Sequence, residues 1–133
     1  MIKIQIVDDS QNTLLAIERR LRNKWYEVQT FTNPHTALQA LKTNEYAVVI
    51  ADYKMPIMDG ITYLKHTKQR QPLAARVLLS AHAETNTLEK AINELGIYRF
   101  ISKPWTDNKL EEHVISAINE HLEKVIWEKN HDE

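Results

Sequence analysis

Six consecutive residues, Tyr46-Ala47-Val48-Val49-Ile50-Ala51, are apolar at every position rather than at every second one. A strand with one wet face alternates; a strand that does not alternate is covered on both faces. The run ends on Asp52, and turn chemistry follows in Pro56 and Asp59-Gly60. The fold must therefore bury a strand between two layers and deliver one carboxylate at its carboxyl end. In open parallel sheets that edge is where ligands bind. Asp52 is then a metal ligand, a nucleophile or a cap for the next loop.

The rest of the chain repeats the same unit. Ile2-Lys3-Ile4-Gln5-Ile6-Val7 reads as a first strand, with Asp8-Asp9-Ser10 at its end. Ser10 or Asn12 caps a helix whose stripe is Leu14, Ile17 and Leu21, with Leu15 beside it. Residues 25–30 form a weaker second strand. Asn33-Pro34 pairs an N-cap with proline at the first helical position, and the short helix buries Ala37, Leu38 and Leu41. The central strand over 46–51 comes next. Gly60 starts a third helix with Ile61 and Leu64 inward. Residues 76–80 are a buried strand ending on Ser80. A fourth helix over 84–95 turns Leu88, Ala91, Ile92 and Leu95 inward, with Gly96 just past its end. Residues 98–102 are the fifth strand, closed by Lys103-Pro104-Trp105. Thr106 caps a long last helix carrying Leu110, Val114, Ala117, Ile118, His121, Leu122 and Val125, with a stripe reaching about Trp127.

Strands alternating with helices predict an α/β fold with a parallel five-stranded sheet covered on both faces. Right-handed crossovers put all strand ends at one rim. That rim then carries Asp8-Asp9, Asp52, Ser80 and Lys103. Converging carboxylates repel one another, and a divalent cation removes the conflict. An all-oxygen set without His or Cys points to Mg²⁺ or Mn²⁺. Lys103 and Ser80 supply a point charge and a hydroxyl for phosphoryl oxygens. Asp52 could then be the nucleophile, forming an aspartyl phosphate.

The pattern Asp8-Asp9, Asp52, Ser80, Lys103-Pro104 resembles the receiver domain of bacterial two-component response regulators. The loop Asp52-Tyr53-Lys54-Met55-Pro56-Ile57-Met58-Asp59-Gly60 is similar to that family's loop after the phosphoacceptor strand. The resemblance covers residues 1–123 as a receiver domain and leaves 124–133 as a C-terminal helical extension or linker stub. It implies the flavodoxin-like (βα)5 three-layer sandwich with strand order 2-1-3-4-5. It implies that Asp52 accepts phosphate from a sensor histidine kinase or phosphotransfer protein. Asp9, Asp52 and the Lys54 backbone carbonyl would hold the metal ion, with Asp8 acting through water. Ser80 and Lys103 would hold phosphoryl oxygens, and Ser80 with Phe100 would form the conformational switch. The protein would control a downstream output domain or protein and assist only its own phosphorylation and hydrolysis, and the face between the fourth and fifth helices is expected to form a homodimer on activation. Phe100 lacks the hydroxyl of the tyrosine alternative, and Trp105 stands where phenylalanine is usual. The Lys103-Pro104-Trp105 ending with Tyr98-Arg99-Phe100 looks like receivers fused to cyclic-di-GMP phosphodiesterases or transcription activators. Lys54 and His82, each two residues past a rim group, are expected to flank the hydrolytic water.

Each piece also has a plain structural reading. Asp8-Asp9 can cap a helix, Ser80 can be a strand-end hydroxyl, Lys103 a solvated lysine and Phe100 a core residue. It is their joint placement that favours chemistry. The 133 residues suit one domain, and a net charge of −1 gives no broad attraction to nucleic acid or membrane. Zero cysteines exclude thiolate metal sites and disulfides and are compatible with a cytoplasmic location. Met1-Ile2-Lys3-Ile4 runs straight into a strand pattern, so no signal peptide is expected. Three rival functions exist. A haloacid-dehalogenase-like phosphatase needs a carboxylate two residues after its nucleophile, where Lys54 stands. A dinucleotide-binding module needs a glycine- or hydroxyl-rich loop after the first strand, where Asp8-Asp9 stand. A receiver-shaped domain that is never phosphorylated commonly lacks a rim group, and all are present.

Overall fold

A computed structural model describes residues 1–22, 25–81, 88–89, 92–93 and 96–131. Its sheet has five strands in the order β2-β1-β3-β4-β5, all parallel. These are β1 (Ile2–Val7), β2 (Tyr26–Phe31), β3 (Val48–Asp52), β4 (Ala75–Ala81) and β5 (Arg99–Lys103). The helices are α1 (Gln11–Leu21), α2 (Pro34–Ala40), α3 (Gly60–Arg70) and a C-terminal α4 (Asp107–His131). The helix expected over 84–95 lies mostly outside the described residues. Of it, Leu88 is buried and Ile92 half-buried. Gly96 follows with φ 64, the left-handed conformation that ends helices and favours glycine.

Period-two alternation distributes the strand side chains between two cores. Ile4, Ile6, Val48, Ile50, Val77, Leu79 and Ile101 pack with Leu14, Ile17 and Leu21 of α1 and Leu110, Val114, Ala117 and Ile118 of α4. Val7, Val49, Ala51 and Leu78 pack on the other face with Ala37, Leu41, Tyr63 and Leu64. The fully buried β3 is the reason its sequence does not alternate.

Several boundaries move, because a strand ends where its partner's ladder ends. β2 starts at Tyr26, not Trp25, since Ile2↔Tyr26 is the first register pair; Trp25 is exposed. Tyr46 stays outside β3 because its amide donates to the Gln71 side chain at 2.8 Å. Asp52 belongs to β3, paired with Leu79, and Lys103 belongs to β5, paired with Ala81. Tyr98 precedes β5, its amide donating to the Arg76 carbonyl at 2.9 Å.

The caps divide cleanly. Ser10, not Asn12, caps α1, accepting from the Thr13 amide at 3.2 Å. Asn33 caps α2 with Pro34 in its first turn. Leu15 is exposed, while Leu38 and Ile61 are only half-buried. On α3 the buried positions include Tyr63 and Thr67. Tyr63 reaches under the sheet and its hydroxyl donates to the Gln5 side chain, whose amide donates to the Ala37 carbonyl at 3.0 Å. That network pairs polar groups whose burial would otherwise be costly. α4 runs unbroken past residue 123; its last buried residue is Ile118. None of its described turns, nor any other described helix, is long and apolar enough to cross a membrane.

Candidate functional site

The site lies at the carboxyl ends of β1, β3, β4 and β5. Chain direction alone puts Asp8, Asp52, Ser80 and Lys103 near this rim; register and twist bring them together. The Asp8 amide donates to the Phe31 carbonyl at 3.1 Å, which fixes the chain as it leaves β1. The buried Asp8 carboxylate then accepts twice: from the Ser10 amide at 2.9 Å and from Lys103 Nζ at 2.9 Å. Lys103 Nζ also stands 3.0 Å from Asp52 Oδ1. One ammonium thus bridges carboxylates from two strands. Asp8, Asp9 and Asp52 each offer a carboxylate oxygen, all within 4.8 Å of one another. Asp9 is exposed, while Asp8 and Asp52 are buried.

Charge in this cluster is unbalanced. Burial pushes the Asp52 carboxyl above its ordinary value; the Lys103 hydrogen bond opposes this, and Asp8 and Asp9 push further up. Burial pulls the Lys103 ammonium down, but hydrogen bonds and charges from Asp8 and Asp52 outweigh it and hold its pKa up. Three carboxylates cluster beside the Lys103 ammonium, and the donor set is all oxygen. This set suits a hard divalent cation of the Mg²⁺ type. Ser80 adds a second sign of an incomplete site: its hydroxyl is buried with no hydrogen-bond partner among the described residues.

Of the other residues singled out by sequence, Lys54 lies exposed in the loop after β3. Phe100 is half-buried against the core that holds Ala51 and Leu78. His82 lies outside the described residues. The Lys103–Pro104 peptide is cis.

Gly60, read from sequence only as a turn and helix start, also shapes the site. A Cβ there would meet the Asp52 carbonyl oxygen and sit 2.9 Å from both the Asp52 carbonyl carbon and Leu78 Cδ1. The Gly60 amide donates to the Tyr53 carbonyl at 2.9 Å, and Asp59 caps α3 by accepting from the Thr62 amide at 2.8 Å. α3 is thereby pressed against the backbone that carries the central carboxylate. A glycine at a helix start that already has an aspartate cap was the available signal.

The sequence profile of the response regulator receiver domain matches residues 4–115. The chain belongs to the response regulator receiver domain family. Phosphorylation and Mg²⁺ binding in an acidic pocket are general properties of that family. Among curated relatives, the hydrogenase transcriptional regulatory protein HoxA of Bradyrhizobium diazoefficiens is 31% identical over 115 residues, covering 86% of this chain and 24% of that protein. The DNA-binding transcriptional regulator NtrC of Klebsiella pneumoniae is 30% identical over 119 residues, covering 90% of this chain and 25% of that protein. The receiver thus spans about a quarter of the length of these relatives. Among solved structures, the signal receiver domain of an HD domain-containing protein from Pseudomonas fluorescens Pf-5 superposes with TM-score 0.85 at 32% identity, covering 92% of this chain and 90% of that one. A response regulator receiver domain from Clostridium thermocellum gives TM-score 0.82 at 29% identity, covering 95% and 99%. The sheet order of this receiver domain is the one the resemblance implied.

Proposed function

We propose that Asp52 of this receiver is the phosphoacceptor and that its phosphorylation switches a downstream output. The observation that carries this reading is the Lys103 ammonium held 2.9 Å from Asp8 and 3.0 Å from Asp52 beside the clustered carboxylates. Asp52 Oδ attacks phosphorus of a phosphohistidine on a kinase or phosphotransfer protein. The P–N bond breaks as the O–P bond forms, and the imidazole leaves with a proton from solvent. Lys103 stays within reach of both the attacking carboxylate and an incoming phosphoryl oxygen. Asp9, Asp52 and the Lys54 carbonyl would hold Mg²⁺ or Mn²⁺, with Asp8 acting through water. The bound ion supplies positive charge for the transferring oxygens.

Ser80 supports the switching half of the reading. Its hydroxyl, unpartnered among the described residues, gains a strong partner when a phosphoryl oxygen arrives, so the phosphorylated form favours the arrangement in which Ser80 moves inward. Phe100 lies two residues before Ser102, which pairs with Ser80 across β4 and β5, and is the aromatic that would follow. The partners are a cytoplasmic histidine kinase or phosphotransfer protein and an output module. The transcriptional regulators HoxA and NtrC and the HD domain-containing protein among the relatives favour an output joined to the receiver.

The test is phosphate incorporation from acetyl phosphate with Mg²⁺, read by intact mass. Wild type gains one phosphoryl group, and Asp52→Asn and samples with chelator gain none. Incorporation into Asp52→Asn, or none into wild type, refutes the reading.

A further inference from the structure

The C-terminal helix α4 carries two apolar stripes. One, with Leu110, Val114, Ala117 and Ile118, is buried on the sheet. The other, Ile115, Leu122 and Ile126, is 54%, 42% and 61% exposed. At 3.6 residues per turn these three fall within roughly 40° of one another. They share the side of the helix that carries Asn108 and Glu111, both of which bond Arg20 of α1. They lie away from His113 and Ser116, which bond Arg99 and Tyr98 beside the β5 edge. His121 Nδ1 sits 2.7 Å from the Leu73 carbonyl, just before β4 begins. Residues 126–131 are all exposed, so the last turns of α4 run past the amino-end edge of the sheet.

We propose that a second copy of this chain packs antiparallel along the outer stripe of α4. The spacing Ile115, Asn119, Leu122, Ile126 alternates steps of four and three residues, the repeat of a two-stranded coil. With a two-fold axis between residues 120 and 121, Ile115 faces Ile126 of the second copy. Asn119 faces its Leu122, and Glu112 faces its Lys129. Every contact occurs twice, as a two-fold interface requires. Charge selects this orientation. A parallel, in-register pair would set Glu112 against Glu112 and Lys129 against Lys129, placing like charges at both ends. Among the described residues, Glu112 pairs with exposed Lys109 of its own helix at 3.5 Å. Such surface pairs contribute little and yield readily to a new partner.

The overlap from 112 to 129 is about 27 Å long at 1.5 Å per residue. That length gives a weak, concentration-dependent dimer rather than an obligate one. α4 starts near the carboxyl rim and runs away from it. The antiparallel pair therefore leaves both rims at opposite outer ends, open to a kinase. The interface is independent of the phosphoryl chemistry, so failure of either reading leaves the other standing.

The test is sedimentation velocity on the 133-residue chain over a concentration series. Wild type dimerises reversibly, and Ile126→Glu raises the dissociation constant by about tenfold or more. Glu112→Lys alone also weakens the dimer, and Glu112→Lys with Lys129→Glu restores it. These positions are exposed, and circular dichroism confirms that each variant folds. The chain has no cysteine, so single-cysteine variants report orientation. Ile115→Cys mixed with Ile126→Cys forms a cross-linked pair under mild oxidation, and neither variant cross-links alone. Self-cross-linking of Ile115→Cys means a parallel pair and overturns the proposal. So does a monomer at every concentration. A dimer unaffected by Ile126→Glu, as one built through the β5 side of α4 would be, overturns it as well.

Discussion

Replacing Lys103 by glutamine tests whether the rim carboxylates share one electrostatic site. The substitution keeps much of the side-chain volume and removes only the charge. Two ion pairs at 2.9 and 3.0 Å are lost. At an effective dielectric of about 20 each is worth about 6 kcal/mol of gross attraction. The carboxylates that remain, within 4.8 Å of one another, repel by about 3.5 kcal/mol or more per pair on the same scale. Most of this is offset: the lysine no longer has to be desolvated, and solvent reaches both Asp9 and the ammonium. The net expectation is a loss of about 3 kcal/mol at neutral pH without divalent cation, at the low end for breaking a buried pair. Urea denaturation in chelator measures it. The pH dependence has a definite sign. Asp52 already has a folded pKa above its ordinary 3.8, so its contribution to stability is present at low pH and lost as pH rises through the folded value. Removing Lys103 removes the group that opposes this rise. The gap between variant and wild type therefore widens as pH rises above that ordinary value. The raised pKa of Lys103 itself acts only at alkaline pH, near and above its ordinary 10.5. Adding Mg²⁺ narrows the gap, because a cation replaces part of the missing charge. A variant within 0.5 kcal/mol of wild type in chelator at pH 7.5, with no pH trend, refutes the shared site.

Gly60→Ala sets helix propensity, a gain of up to about 1 kcal/mol, against a Cβ driven into the Asp52 backbone. The backbone contact wins, and thermal melts show a loss of about 2 kcal/mol; a stabilised variant contradicts the close approach. Ser80→Ala removes a buried hydroxyl that has no partner among the described residues. Urea stability therefore stays within about 1 kcal/mol of wild type or rises. The Phe100 ring shifts that beryllofluoride induces in NMR spectra are lost, and their survival counts against the switch role. The His113 pKa is held below its ordinary 6.5 by burial, then by Arg99 and Lys109. Arg99 can only donate, so the 3.0 Å contact needs a neutral His113 Nδ1. His113 thus contributes stability above pH 6.5 that is lost as pH falls through its folded pKa. His113→Gln flattens that part of the stability profile, and an unchanged profile removes His113 as its source.

Much of this receiver was legible in its residues. Short-range signals are local in origin, so they survive without tertiary context. The non-alternating run before Asp52 marked a strand covered on both faces, Asn33-Pro34 marked a helix start, and Gly96 marked a helix stop. The handedness of crossovers then places Asp8, Asp52, Ser80 and Lys103 at one rim from strand order alone. What stayed illegible depends on several chain segments at once. Trp25 and Tyr98 fall outside their strands because the neighbouring ladders begin one residue later. Tyr63 is buried on α3, in a place sequence periodicity did not give it, because Gln5 on another element accepts its hydroxyl. The bridge from Lys103 to Asp8 and Asp52 and the pressure of Gly60 on the Asp52 carbonyl likewise arise only from sheet register and helix docking. Local pattern can say that a carboxylate, a hydroxyl and an ammonium reach the same edge. Whether they come within 3 Å of one another is set by the packing of the two layers that hold the strands in place.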